Sequence, residues 1–177
     1  SGKTLEQFKK ELIPVLQKKG WWGKETVIGP DGKPRKIQLG SPHRLETIYR
    51  TNLQSAYMAA RYQQMKAASA THPYWQYQAV MDQNTRPAHA AMHGHIFAHD
   101  DPVWGTCYPP NGYRCRCTVR TLSQTRMRRE GLTPESSAGA LQDVRVKAGR
   151  NKQETVTGVR IKDKNGKSVI FHPDAGF

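Results

Sequence analysis

The stretch "PPNGYRCRCTVRTL", Pro109 to Leu122, decides how the rest of the chain is read. Its second half, Cys115 to Leu122, alternates in the manner of a strand with one buried face. Its first half sets two prolines and an Asn-Gly ahead of that strand, which marks a tight turn. One more thiol, Cys107, stands just upstream, and the chain holds 3 cysteines in all. An odd number of thiols argues against a secreted disulfide framework and for a reducing compartment.

Working outward, "YWQYQAV" (Tyr74 to Val80) is aromatic and alternating and predicts a partner strand. Between the two lie "RPAHAAMHG", a short helix closed by Gly94, and "HIFA", a short strand. After Leu122 a basic helix, "SQTRMRREG", stops at Gly131. Residues 132 to 155 are polar and weakly patterned, which predicts a flexible loop. "TVTGVRIKDKNGKSVIFHP" then predicts a hairpin with Asn165-Gly166 as a type I′ turn.

Upstream, Ser41-Pro42 supplies an N-cap with proline at the first helical position. Leu45, Ile48, Tyr49, Leu53, Ala56, Tyr57 and Ala60 form one face of a helix expected to reach about Ala68. Packed on the sheet, that face would make truncation of Ile48 or Leu53 cost about 2–5 kcal/mol. The region from Lys24 to Gly40 reads as a hairpin or loop around "GPDGKP", and "GWWG" before it as a packed anchor. Thr4 and Gln7 have capping-box spacing ahead of a first helix, in which Pro14 predicts a kink or a break.

The whole reads as α+β: N-terminal helices packed on a small antiparallel sheet, with a C-terminal hairpin. Three parts are expected: residues 1–40 as a helix-and-loop extension, 41–131 as the core domain, and 132–177 as a flexible segment with the hairpin. At 177 residues and 36% hydrophobic, the chain suits one modest core with extensions. A net charge of +14 points to an anionic partner, most simply double-stranded DNA met through Arg126, Arg128 and Arg129. No apolar run is long enough to span a membrane. The N-terminus lacks the apolar centre of a signal peptide, and further residues are expected upstream.

His89, His93, His95 and His99 cluster ahead of the three cysteines. Two readings of this window stay open. In one, the cysteines are small buried packing residues. In the other, His89, Cys107, Cys115 and Cys117 hold a structural zinc with all four positions filled by protein. A regular strand through Cys115 and Cys117 would set their thiols about 6.5 Å apart, wide for one zinc. A catalytic reading, with a thiolate nucleophile beside histidine or a nuclease metal near Asp100 and Asp101, has no complete constellation behind it.

The run from Met81 to Ser123 resembles the core of the Mu F-like phage head morphogenesis family, minor head proteins of tailed phages and prophages. The resemblance is carried by Asp82, Thr85, Arg86, Pro87, His89, Gly94, Phe97, Asp100, Asp101, Pro102, Trp104, Pro109, Pro110, Asn111, Gly112, Cys115, Arg116 and Cys117. Asn84 stands where many relatives carry a second arginine, and "FHPDAGF" matches a C-terminal family stretch with Ala175 in place of proline. The resemblance implies a minor capsid protein acting near the portal and packaged DNA. Its partners would be portal and capsid proteins, and its place the virion or the host cytoplasm during assembly. The alternative is a metal-dependent nuclease or toxin built on the His/Cys cluster.

Overall fold

The computed structural model describes residues 2–149 and 151–177, which divide into two compact units, 1–53 and 54–177. In the first, α1 (Leu5–Lys18) starts at the expected capping box, with Thr4 and Gln7 satisfying each other's backbone amides. Helix α1 runs on through Pro14 instead of breaking there, since one missing donor removes a single helical bond from a well-capped segment. Strands β1 (Gly23–Ile28) and β2 (Pro34–Gly40) form the hairpin around Gly29 to Lys33. The "GWWG" expectation holds for one tryptophan only. Trp22 lies against Gly40, where any Cβ would meet its ring. Trp21 is 60% exposed, with the Lys19 ammonium over its ring.

Helix α2 (Pro42–Ala67) begins at Ser41, whose hydroxyl accepts from the Arg44 amide. Its early residues Leu45 and Tyr49 serve the first unit: Leu45 is buried, and Tyr49 meets the Phe8 ring and donates to the Lys3 carbonyl. Its later residues serve the second unit through a different stripe from the one expected. Met58 and Met65 are buried and Tyr62 packs beside them, whereas Ile48, Leu53 and Tyr57 are 42%, 59% and 50% exposed. Between the apolar rows, Gln54 and Arg61 donate to the carbonyls of Cys117 and Val119, and these bonds select the methionine face. Ile48→Ala and Leu53→Ala are therefore expected to cost little, and the larger cost predicted above is withdrawn.

The second unit is built on a sheet of order β4-β3-β5, all antiparallel: β3 (Tyr74–Gln78) in the centre, β4 (Ile96–Ala98) and β5 (Thr118–Leu122) at its sides. Trp75 and Tyr77 point to one face, with Met58, Met92, Phe97, Trp104 and Val119. The other face carries Ile96 and Leu122, covered by Met127 of α5 (Gln124–Arg129). Helix α3 (Pro87–Met92) and the short α4 (Trp104–Cys107) lie in the connections.

Residues 132–155 are not a structureless loop, although Arg150 falls outside the described residues. Glu135 bridges to β4, and β6 (Leu141–Lys147) pairs with β7 (Gln153–Lys162), which pairs with β8 (Ser168–Phe171). The apolar signal of β6 is thin because it is an edge strand with one wet face. The β7–β8 connection is not type I′. Asp163 accepts from the Gly166 amide and donates to Lys167, and Gly166 alone takes positive φ, the pattern of a three-residue loop with a glycine bulge. Val159, Ile161 and Phe171 carry this sheet into the same core as Trp75 and Tyr77.

Candidate functional site

The turn from Pro109 to Cys117 is folded inward, not extended. The Pro109–Pro110 peptide is cis, and Asn111 is 1% exposed. The Asn111 side-chain amide donates to the Cys107 carbonyl at 2.9 Å and to the Tyr77 hydroxyl at 3.2 Å. Gly112 follows where the chain has no room for a side chain: a Cβ would fall on the Arg86 guanidinium and the Asp174 carboxylate. Those two groups pair at 2.8 Å, Arg86 also donates to the Tyr113 carbonyl, and the Asp174 amide donates to the Asn111 carbonyl. The "PPNG" turn thus clamps the start of α3 to the C-terminal segment.

Past the turn, Arg114 takes positive φ and the expected strand begins only at Thr118. Cys115 to Cys117 lie outside the strand, after a turn closed by the Cys115 amide donating to the Gly112 carbonyl, so the alternation there reports a loop. In consequence the two thiols converge. His89 Nδ1 lies 3.3 Å from Cys117 Sγ and 3.8 Å from Cys115 Sγ, and the three donor atoms all lie within 4.8 Å of one another. All three side chains are buried. Cys107 is outside this group: it is buried beside Thr106, and burial pushes its thiol up to about 11. His93 and His95 are also elsewhere, His93 accepting from the Ala79 amide and His95 pairing with Glu135 at 2.7 Å. His99 lies near Asp100, while the Asp101 carboxylate is engaged by the Val103 and Ser137 amides and the Ser137 hydroxyl.

The two neighbouring sulfurs move in opposite directions: the Cys115 thiol is drawn below its ordinary value, chiefly by Cys117 and, against burial, by His89, whereas Cys117 is pushed up by Cys115 and by burial. Burial pushes the Tyr77 phenol well above its ordinary value. The Phe171 ring closes the pocket edge-on to both Tyr77 and His89, each at 5.4 Å.

Around this centre the remaining motif residues make contacts that join neighbouring elements. Gly94 takes positive φ at the end of α3 and its carbonyl accepts from Gln76. Phe97 stands edge-on to Trp104, whose indole N–H donates to the Ala98 carbonyl. Arg116 faces outward and grips Asp82 with two bonds, at 2.6 and 2.7 Å. The Arg116 guanidinium holds the Asp82 carboxyl well below the usual carboxylate range. With the folded-state pKa depressed, the stabilisation is complete above about pH 4 and lost as pH falls through the folded value. Denaturant titrations of wild type and Asp82→Asn should show a stability gap that is constant near neutrality and closes below about pH 4. A gap that widens toward acid contradicts the assignment.

Tyr77, Phe171 and Asp174 escaped the sequence reading of the site. Only the similarity of "FHPDAGF" to a family stretch hinted that the C-terminus belongs to it.

The expected DNA-contacting arginines lie on α5. Arg128 and Arg129 are exposed, but Arg126 bonds Glu130 at 2.7 Å and Arg129 approaches the same carboxylate at 3.6 Å. Among the described residues, no helix is long and apolar enough to cross a membrane.

Comparison with known proteins gives a consistent result. The profile of the family described as "Phage Mu protein F like protein" matches residues 1–120. The chain is 48% identical over 178 residues to a protein of Escherichia phage Mu named "Putative capsid assembly protein F", covering 99% of this chain and 40% of that one. It is 45% identical over 142 residues to the "Mu-like prophage FluMu F protein" of Haemophilus influenzae, covering 80% of this chain and 33% of that one. The chain therefore spans well under half the length of these relatives. No solved structure gives a significant match.

Proposed function

As this chain belongs to the phage Mu protein F-like family, we propose that it serves phage head assembly as a minor capsid protein near the portal and the packaged DNA. The observation that carries the reading is the 48% identity, over 99% of this chain, with a relative named for capsid assembly. The clamp geometry is in keeping with it: the motif residues tie the Pro109–Cys117 turn, the start of α3 and the C-terminal segment together. Its partners on this reading are portal and capsid proteins, in the virion or, during assembly, in the host cytoplasm. The test is genetic and physical. Removing the coding region for this chain from its phage or prophage should abolish mature, DNA-filled heads, with restoration in trans. Normal particle yield and infectivity without it would overturn the reading.

Contact with DNA belongs to the same proposal, supported by the net charge of +14 and the exposed Arg128 and Arg129. Three phosphates neutralised by Arg126, Arg128 and Arg129 would lower duplex affinity about 40-fold between 50 and 200 mM salt. Replacing all three by glutamine should flatten that dependence as well as weaken binding. Affinity insensitive to salt, or unchanged by the triple replacement, removes DNA contact from the account while leaving the capsid role standing. The nuclease or toxin alternative finds no support in the centre, whose three donors are buried and include no carboxylate.

A further inference from the structure

We propose that His89 Nδ1, Cys115 Sγ and Cys117 Sγ bind a zinc ion that locks the Pro109–Cys117 turn onto α3. The proposal is independent of the head-assembly reading.

Geometry is the first support. In a tetrahedral site with Zn–N near 2.0 Å and Zn–S near 2.3 Å, neighbouring donor atoms stand about 3.3–3.8 Å apart. The His89 Nδ1 distances to the two sulfurs, 3.3 and 3.8 Å, lie at the ends of that range. The donor atoms come from two segments distant in sequence and are buried together, with one imidazole and two thiols, the ligand types zinc favours.

The surroundings are the second support. Buried thiols used only for packing need no hydrogen-bond donors around them. Here His89 Nδ1 stands 3.3 and 3.8 Å from the two sulfurs, and the Asn111 side-chain amide fixes the turn that leads to them by donating to the Tyr77 hydroxyl and the Cys107 carbonyl. Hydrogen bonds that fix the segments carrying ligands hold those ligands toward a metal. The Phe171 and Tyr77 rings restrict solvent access. Cys107, expected as a fourth ligand, lies outside the group, so the protein supplies three donors.

Untagged protein purified without chelator and analysed for metals should hold about one zinc per chain. Cobalt exchanged for zinc should show thiolate-to-metal charge transfer and the strong visible bands of a tetrahedral site. Cys117→Ser and His89→Ala should each lower retained metal at least ten-fold, and Cys107→Ser should leave it unchanged. Should a ligand variant fail to fold, thiol counting on the wild type decides. With zinc bound, the two site thiols resist modification until a chelator is added, and all three react after denaturation. Less than about a tenth of an equivalent of zinc after refolding with zinc present overturns the proposal. So does a cobalt spectrum unchanged by Cys117→Ser, or only one reactive thiol after denaturation, which would mean a Cys115–Cys117 disulfide.

Discussion

Replacing Trp75 by alanine should destabilise the second unit by about 3–5 kcal/mol. The side chain is 0% exposed at the centre of β3 and meets the rings of Tyr62, Trp104 and Tyr108 at 5.4, 5.7 and 6.2 Å. Removing it leaves a cavity that α2, α4 and the sheet cannot collapse into together, since each is fixed by backbone bonds elsewhere. Trp75→Phe should cost distinctly less. It keeps most of the ring contacts and removes an indole N–H that is buried with no hydrogen-bond partner. Urea denaturation followed by circular dichroism measures both. Equal losses for the two variants would show that ring volume is not what holds this face.

Phe171→Ala should have an effect of similar size, about 3–5 kcal/mol, with a different pattern. Phe171 is the last residue of β8, is 0% exposed, and packs edge-on against Tyr77 and His89. Its loss removes the ring contacts that tie β8 to Tyr77 and His89, whereas the contacts of Trp75 with Tyr62, Trp104 and Tyr108 do not involve it. The transition should therefore broaden, with the C-terminal strands losing protection before β3 and β5. Uniform weakening throughout the unit would contradict this.

The legible parts of the fold were those written in local chemistry. Ser41-Pro42 marked the start of α2, Thr4 and Gln7 capped α1, and the alternation of Tyr74 to Gln78 marked the central strand. The buried face of α2 was not legible, because the helix carries two apolar rows. The choice between them is made by Gln54 and Arg61 reaching carbonyls more than fifty residues away. Strand β6 hid for a related reason: its polar residues face solvent, and its pairing depends on β7. At the site, sequence proximity brought His89, Cys107, Cys115 and Cys117 under suspicion together, and the fold gathers the donor atoms of His89, Cys115 and Cys117 while placing Cys107 outside that group. The bend at Arg114 that separates a convergent pair from an ordinary strand is not encoded in alternation. The clamp between Arg86 and Asp174 spans 88 residues, a distance at which one sequence offers no local signal.

The central claim is that the Pro109–Cys117 turn, seated on His89, is the junction that holds α3, β5 and the C-terminal strands together. Native-state hydrogen exchange of wild type against His89→Ala tests it most directly. The account predicts joint loss of protection in α3, in β5 from Thr118 to Leu122, and in β8 from Ser168 to Phe171, with the β1–β2 hairpin unchanged. Loss confined to α3, with β5 and β8 exchanging as in wild type, would contradict it.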